Sequence, residues 1–323
     1  MKTYSMRRMY GETLVELGAC NPDVVVLEAD LATATKTCLF RERFPERFFE
    51  VGIAEQNMAS MAAGLALCGK IPFVTGLAVF VTMRACEQVR TSVALARANV
   101  KIVGAYGGLC TAENGPTHQC VADLGVMRAI PGMTVIAPAD AASCRAMVFA
   151  MARYQGPVYM RILRDREPVL YDTETAAALE IGKGHRLVEG EDVTLMAHGL
   201  MVSVCLGAGE LLASQGISAS VVDMYSVKPI DAELVLEEAR RTGVIVTVEE
   251  HNVIGGLGSA VAEVVAREQS AALLPLGLND SFAASGRHAD LLERFGLTAE
   301  QVADAAESMV AKVNDKRGYT EIS

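Results

Sequence analysis

Short apolar runs alternate with helical segments along the first half of the chain. The runs are rich in Val and Ile and predict strands at 24–27, 71–74, 101–103, 134–136 and 158–162. Hydrophobicity in these runs is continuous rather than alternating, which indicates that helices cover both faces of the sheet. The pattern therefore predicts a doubly wound, mostly parallel α/β sheet.

A polar, irregular stretch at 165–183 interrupts this rhythm, which restarts at Val193. The second half predicts strands at 193–197, 218–222 and 244–248, with helices at 202–214 and 232–241. A chain of 323 residues is long enough for two domains that each bury a core. We therefore predict two doubly wound domains, at 1–165 and 185–323, joined by a linker at 166–184.

Composition excludes several classes of partner. The formal net charge is -10, whereas nucleic-acid binding requires clustered Lys and Arg. The chain starts without the apolar run of a secretory signal, and no stretch approaches the ~20 apolar residues that span a bilayer. Its eight cysteines form no CxxC pair, so neither a disulfide framework nor a zinc site is indicated. We expect a cytoplasmic protein with no nucleic-acid and no membrane partner.

Two short motifs carry residues suited to proton chemistry. Glu55 lies in Gly-Ile-Ala-Glu-Gln-Asn-Met, in the first turn of a helix predicted at 54–68, where its carboxylate caps the helix or, partly desolvated, shares a proton. His118 lies in Gly-Pro-Thr-His-Gln, in a loop of the kind that carries ligand groups in doubly wound folds. A surface or core histidine is the alternative.

Arginines supply candidate anion ligands. Arg161 and Arg164 lie at the end of the last strand of the first domain. There they either balance the negative charges of Asp165 and Glu167 or bind a substrate phosphate. Arg84 is a weaker candidate for the same task.

An aromatic residue and a glycine-rich segment each allow a structural interpretation as well as a functional one. Phe80 precedes a helix predicted at 87–98 and either joins the core or offers its face to a flat heterocycle. The glycines at 255, 256 and 258 lack the rest of a dinucleotide fingerprint, which favours a tight strand-to-helix turn. His251, beside them, is either structural or a contact to another subunit.

Several segments together resemble the C-terminal section of transketolases, over nearly the whole chain. They read DLATATKTCLFRERFPERFFEVGIAEQNM, FVTMRACEQVR, GPTHQ, DVTLMAHG, VKPID and VEEHNVIGGLGSAVAE. The resemblance implies a thiamine diphosphate pyrimidine-binding domain followed by a transketolase C-terminal domain. The chain holds no Gly-Asp-Gly segment followed by Asn, which in that family binds the diphosphate and its metal. The resemblance therefore implies the C-terminal subunit of a split, two-chain transketolase.

The partner implied by this resemblance is an N-terminal subunit that carries the diphosphate-binding domain. That subunit would hold a Mg²⁺ or Ca²⁺ ion, and no metal ligand is assigned to the present chain. Family geometry implies a heterotetramer with two copies of each chain. The implied reaction moves a two-carbon ketol unit from a ketose phosphate to an aldose phosphate.

The resemblance also implies roles for individual residues. Glu55 would hydrogen-bond the aminopyrimidine ring of thiamine diphosphate, Phe80 would stack on that ring, and Ile53 would lie beside it. His118 would lie over the cofactor and contact the oxygens of the donor sugar.

The residues that would bind the substrate differ in part from those that are usual in the transketolase family. Arg161 or Arg164 would anchor the sugar phosphate. Asn114 stands where transketolases commonly have Asp, Tyr106 where a phosphate-binding histidine is expected, and Ala34 near an expected serine. We therefore expect a sugar phosphate other than the classical pentose-pathway substrates.

Two other functions are compatible with the same residues. The beta subunit of a 2-oxo acid dehydrogenase decarboxylase has a similar glutamate and the same two domains, and would transfer an acyl group to lipoamide. The family of these beta subunits has a different histidine-containing loop, so the segment Gly-Pro-Thr-His-Gln argues against this alternative. A non-catalytic transketolase-like binding protein is the other alternative, and the presence of both Glu55 and His118 disfavours it.

Overall fold

Two mainly parallel sheets, each covered by helices on both faces, form most of the molecule, and a short antiparallel pair of strands accompanies them. The structure is a computed structural model that describes residues 2–268 and 271–320. The predicted domain ends at 1 and 323 lie outside the described residues. Within them, no helix combines the length and apolarity needed to cross a bilayer.

Fourteen strands occur in the described part of the chain. They are β1 Thr3–Ser5, β2 Val24–Glu28, β3 Phe48–Glu50, β4 Ile71–Leu77, β5 Lys101–Ala105, β6 Thr134–Ile136, β7 Val158–Ile162, β8 Arg166–Pro168, β9 His185–Val188, β10 Val193–Ala197, β11 Ala219–Asp223, β12 Ser226–Lys228, β13 Val244–Asn252 and β14 Ala272–Leu278.

The α-helices vary from single turns to a long C-terminal helix. They are α1 Met6–Cys20, α2 Ala32–Thr35, α3 Cys38–Arg43, α4 Glu55–Leu67, α5 Cys86–Gln88, α6 Asp123–Ala129, α7 Ala141–Arg153, α8 Thr173–Ala177, α9 Met201–Ser214, α10 Ala232–Thr242, α11 Leu257–Glu268, α12 His288–Arg294 and α13 Ala299–Thr320.

The first sheet has the order β12-β6-β7-β5-β4-β2-β3. Its six strands from the first half of the chain are parallel, and all residues of β2, β5, β6 and β7 are buried. Helices α1 and α7 pack together on one face, and α4 packs on the other against β4. The predicted doubly wound architecture is confirmed.

The second sheet has the order β14-β13-β10-β11-β9, with β9 antiparallel to β11 and the remaining pairs parallel. Helices α9 and α13 cover one face, while α10 and α11 cover the other. This arrangement confirms a second α/β domain.

The two domains share more structure than the sequence predicts. Strand β12 belongs by sequence to the second half of the chain, yet it pairs antiparallel with β6 at the edge of the first sheet. The largest buried apolar cluster runs from Met6 in α1 to Val310 in α13. Strand β12 and this shared cluster therefore tie the two domains together.

The helix expected at 87–98 begins and ends earlier than predicted. Helical structure is already present at Phe80 and continues to Ala94, with π-helical turns at Phe80–Arg84 and Val89–Ala94 on either side of α5. Ala85 N donates to the carbonyl of Phe80, five residues back. Such turns accommodate one additional residue and occur often at functional sites.

Candidate active site

The carboxyl end of β3 leads directly into the helix that carries Glu55. The turn contains Gly52 at φ 69, and the Glu50 carboxylate accepts hydrogen bonds from Asp30 N at 2.7 Å and Gly52 N at 3.3 Å. Helix α4 then begins at Glu55, whose side chain is only 2% exposed. Ile53, two residues earlier, is 74% exposed. Glu55 is thus fixed at the rim of the sheet, beside exposed apolar surface.

Arg84 contacts both Glu55 and Phe80. Its Nη1 donates to the two carboxylate oxygens of Glu55 at 3.0 and 2.9 Å, and its guanidinium lies 4.2 Å from the centre of the Phe80 ring. The π-helical turn brings Phe80 and Arg84 to the same side. The sequence suggested Arg84 as a phosphate ligand, but in this structure it is paired with Glu55 instead.

His118 reaches the same place from a different loop. Its ring lies edge-on to Phe80 with the centroids 5.4 Å apart, and Thr117 Oγ1 lies 2.9 Å from its Nδ1. The imidazole is half-buried. Glu55, Arg84, Phe80 and His118 therefore form one continuous cluster, which we call the half-site.

Both domains hold the loop of His118 in position. Gly108 and Cys120 form an isolated antiparallel bridge that closes the loop, and Gly115 allows the turn at φ 78. The buried Gln119 side chain donates to the carbonyl of Ala112 at 3.1 Å and to that of Ala284, in the second domain, at 2.9 Å. The second domain thus fixes the residue next to His118.

Arg7 completes a cluster around Arg164 that sequence reasoning missed. Its Nη1 donates to Tyr106 OH at 2.6 Å and to the carbonyl of Ala34 at 2.6 Å, and its Nε donates to the carbonyl of Arg164 at 2.7 Å. The guanidinium groups of Arg7 and Arg164 lie 5.1 and 5.6 Å from the centre of the Tyr106 ring. Two cations therefore lie beside one phenol, close to α2, the single helical turn that contains Ala34.

A buried carboxylate supports that turn. Glu28 accepts hydrogen bonds from the hydroxyls of Thr35 and Thr37, at 2.5 and 2.8 Å. Burial raises the pKa of Glu28 to about 7, although these two hydroxyls favour the carboxylate.

Asn114 lies in a short 3₁₀ turn, Ala112–Asn114, and is exposed.

Arg161 has a different position from Arg164. It is 4% exposed, its Nε lies 3.3 Å from the Asp123 carboxylate, and its Nη2 donates to the carbonyls of Cys120 and Glu250, each at 2.9 Å. Tyr159 OH also donates to Asp123, at 2.6 Å. The guanidinium of Arg161 thus joins the two domains, which leaves Arg164 as our candidate phosphate ligand.

A second set of charges continues this contact between domains. Glu250 accepts from Leu109 N at 2.5 Å and lies 2.8 Å from His288 Nε2. Burial opposes protonation of His288, yet the Glu250 and Glu167 carboxylates hold the pKa of its imidazole above the ordinary value. Burial raises the pKa of Glu167 to about 7. We call Asp123, Arg161, Glu250 and His288 the domain junction.

The glycine-rich turn before α11 is filled by protein groups. The buried Glu249 carboxylate accepts from Leu257 N at 2.7 Å and Gly258 N at 2.8 Å, and so occupies the position that a bound phosphate would take. Burial raises the pKa of Glu249. His251 is fully buried, and its Nε2 accepts from Gly125 N of the first domain at 3.3 Å. These residues have structural contacts here.

Among residues 2–268 and 271–320, no group of three or more His, Cys, Asp or Glu side chains is arranged to hold a metal ion. The half-site suits the flat, nitrogen-rich end of a cofactor better. It already binds a planar guanidinium, with a buried carboxylate at the edge of that group and an aromatic ring on its face.

Two family models match the chain in succession. The transketolase pyrimidine-binding domain matches residues 2–167, and the transketolase C-terminal domain matches residues 182–302. The chain therefore belongs to the transketolase family, which depends on thiamine diphosphate, and it corresponds to the section that split transketolases encode separately.

Similar proteins of nearly the same length support this assignment. A solved structure described as a split gene transketolase in an inactive β4 tetramer is 48% identical, covers 95% of this chain and 98% of its own, and has a TM-score of 0.89. The 6-deoxy-6-sulfo-D-fructose transketolase subunit of Clostridium sp. (strain MSTE9) is 42% identical over 97% of both chains. An apulose-4-phosphate transketolase chain of Phocaeicola vulgatus is 36% identical over 95% of this chain and 97% of its own.

Proposed function

We propose that this chain, assembled with a second subunit, is a thiamine diphosphate-dependent transketolase that moves a two-carbon ketol unit from a ketose phosphate to an aldose phosphate. The observation that carries this proposal is the half-site, where the buried Glu55 carboxylate, the Phe80 ring and the His118 imidazole lie in one chain of contacts.

Each half-site residue has a task in this reaction. The Glu55 carboxylate would share a proton with a ring nitrogen of the aminopyrimidine, and its burial keeps water from competing for that proton. Phe80 would stack on the ring, and Ile53 would cover its edge. When bound, thiamine diphosphate supplies a carbon nucleophile and an electron sink for cleavage of a carbon–carbon bond.

His118 and Asn114 would contact the donor sugar. The half-buried imidazole of His118 can donate to or accept from sugar hydroxyls, and Thr117 and Gln119 limit the movement of its loop. Asn114 supplies an amide rather than a carboxylate at the same loop, so it can donate as well as accept. This difference supports a donor other than the classical pentose-pathway ketoses.

The phosphate end of the substrate would bind at Arg164 and Arg7. Both guanidinium groups lie beside Tyr106, and the Arg164 side chain is 38% exposed, so its donors are accessible to a phosphate. Tyr106 OH can serve as a further donor. Relatives that are named for a sulfo-sugar and for a sugar phosphate support an anionic substrate end.

The half-site also supports the need for a partner. Ile53, Met61 and Met83 lie on the segments that carry Glu55 and Arg84, and they are 74%, 37% and 50% exposed. Exposed apolar side chains on segments that contact each other, as α4 and the turn of Arg84 do, are typical of surfaces that another protein covers. We propose that an N-terminal transketolase subunit covers them, holds the diphosphate and a Mg²⁺ or Ca²⁺ ion, and forms a heterotetramer with two copies of each chain.

The similar split gene transketolase fits this proposal, because its tetramer of beta chains is described as inactive. A homotetramer is therefore the expected form of the present chain without its partner. We also propose a cytoplasmic location.

The first test is a pull-down of the tagged chain from its native lysate, followed by mass spectrometry. We expect one stoichiometric partner with a Gly-Asp-Gly segment followed by Asn. The purified pair is then assayed with a set of ketose phosphates as donors and aldose phosphates as acceptors. Glu55→Gln should lower turnover at least about 1,000-fold while the two chains still co-elute.

Two results would contradict the proposal. If no partner of this kind is recovered, the half-site has no diphosphate-binding surface to complete it. If Glu55→Gln leaves turnover unchanged, the carboxylate has no part in the chemistry. Transfer of an acyl group to lipoamide by the purified pair would favour the 2-oxo acid dehydrogenase alternative.

A further inference from the structure

Arg84 occupies both contacts that the proposed function gives to the aminopyrimidine ring. Its Nη1 lies within 3.0 Å of both Glu55 carboxylate oxygens, and its guanidinium lies over the Phe80 ring at 4.2 Å. Within the described part of the chain, Glu55 is the only hydrogen-bond or ion-pair partner of the Arg84 side chain. The side chain of Arg84 is therefore held in place by contacts within the half-site and by no others in the described part of the chain.

The chemistry of a guanidinium explains why it fits there. It is planar, it donates N–H groups in its own plane, and it stacks on aromatic faces. An aminopyrimidine is also planar, carries nitrogen along its edge and stacks on the same kind of surface. Glu55 and Phe80 therefore present the same recognition surface to either group.

Exposure shows which partner can move. The Glu55 side chain is 2% exposed, whereas that of Arg84 is 45% exposed. Glu55 is fixed at the start of α4, but the long arginine side chain approaches from the solvent side and can rotate away without a change in the backbone. A buried carboxylate without a partner is costly, so some cation or donor is required at Glu55 until the cofactor arrives.

We propose that Arg84 is an internal substitute for the cofactor, which holds Glu55 and Phe80 in position in the cofactor-free chain and is displaced when the aminopyrimidine ring binds. This inference depends on the proposed function, since it assigns the same two residues to thiamine diphosphate. A competing internal contact lowers the apparent affinity by the fraction of molecules in which that contact is open. Arg84 therefore keeps the half-site formed and sets how tightly the cofactor binds.

The test compares thiamine diphosphate binding to the purified two-chain assembly, in Mg²⁺ buffer, by isothermal titration calorimetry. Arg84→Met removes both the charge and the planar group, so we expect binding to tighten roughly tenfold, the scale of a partly exposed ion pair. Arg84→Lys keeps a cation but loses the flat fork, so we expect a smaller increase. Unchanged or weaker binding by Arg84→Met would overturn the inference.

Thermal melting provides a second readout that does not depend on turnover. Arg84→Met should lower the melting temperature of the cofactor-free assembly but not that of the cofactor-saturated assembly, because the arginine is displaced in the latter. Equal losses in both forms would show that Arg84 is only a structural residue, and would also overturn the inference.

The wild-type assembly separates this failure from failure of the proposed function. If the wild type binds thiamine diphosphate and Glu55→Gln abolishes that binding, the proposed function stands and only the Arg84 result is at issue. If the wild-type assembly does not bind thiamine diphosphate, the proposed function is wrong and the inference falls with it.

Discussion

The half-site and the domain junction each contain an arginine paired with a buried carboxylate, yet the two pairs differ in what else surrounds the arginine. Arg161 is 4% exposed and contacts Asp123 together with two backbone carbonyls, one of them in the second domain. Arg84 is 45% exposed and contacts Glu55 and the Phe80 ring. The residue type is the same, but the number of partners and the access of solvent differ.

This difference separates a structural arginine from one available for function. When a guanidinium donates to several fixed acceptors, its removal leaves each acceptor buried without a hydrogen-bond donor, which is costly in free energy. A guanidinium with one carboxylate partner can exchange that partner for solvent. Arg164, next to Arg7 and Tyr106, resembles Arg84 in this respect.

The largest expected effect is loss of the domain junction. Arg161→Leu leaves the buried Asp123 carboxylate without its cation and two carbonyls without a donor, so we expect the free energy of unfolding to fall by about 3–5 kcal/mol. Urea unfolding followed by circular dichroism measures this, with Arg164→Leu as the matched control, expected within about 1 kcal/mol of wild type. Similar losses in the two variants would remove the distinction between the regions.

Raising the pH should lower the stability of the folded chain through Glu167, whose carboxylate acts on His288 of the domain junction. The pKa of this carboxyl is about 7 in the folded chain, mainly because of burial, against an ordinary value of 4.5. Between these values the unfolded chain releases a proton that the folded chain retains, so stability falls as pH rises and levels off above about 7. The pKa of His288 is also raised in the folded chain, so deprotonation of its imidazole at higher pH lowers the stability further.

The measurement is the free energy of unfolding between pH 5 and 8. Glu167→Gln should reduce the decline by about 2 kcal/mol, whereas the exposed Glu180→Gln should leave it unchanged. A decline that is the same in Glu167→Gln and in wild type would show that this carboxyl is not responsible.

At the substrate end, Arg164→Leu should raise KM for a sugar-phosphate donor about 10- to 100-fold in the two-chain assembly, with less effect on kcat. Arg7→Leu should act similarly, and the double variant should lose less than the sum of the two because both contact Tyr106. Arg166→Leu, an exposed arginine two residues further on, is the control. An Arg164→Leu enzyme with wild-type KM would exclude this phosphate site.

The smallest expected effect is at the loop that carries His118. Gln119→Leu removes the donor to the carbonyls of Ala112 and Ala284, so we expect stability to fall by about 1 kcal/mol and kcat to fall several-fold as the loop becomes looser. Steady-state kinetics at saturating substrate measure the latter, with the exposed Gln215→Leu as the control. An unchanged kcat would show that the second domain does not position His118.

The sequence predicted the strands better than the half-site contacts. The bounds of β6 and β7 were predicted correctly, because strands buried on both faces have continuous apolar sequences. The π-helical turn at Phe80 was missed, since a single additional residue does not change the hydrophobic pattern in a recognisable way. The contact of Arg84 with Glu55 depends on that turn.

Contacts between distant parts of the chain were also beyond sequence reasoning. Arg7 lies 157 residues before Arg164, and no local pattern connects a basic residue in the first helix with the end of β7. Strand β12 is only three residues long, and its pairing with β6 is decided by tertiary packing. The resemblance to transketolases suggested Glu55, Phe80 and His118 as separate site residues, but it did not suggest the contact of Arg84 with the first two.

The pairing of β12 with β6 has a consequence for how the chain can be divided. A fragment that stops in the linker near residue 184 would lose β12 and leave β6 as an open sheet edge with unpaired backbone groups. The first domain is therefore not an exchangeable module, and its recombination with other transketolase sections must carry Ser226–Lys228 along with it.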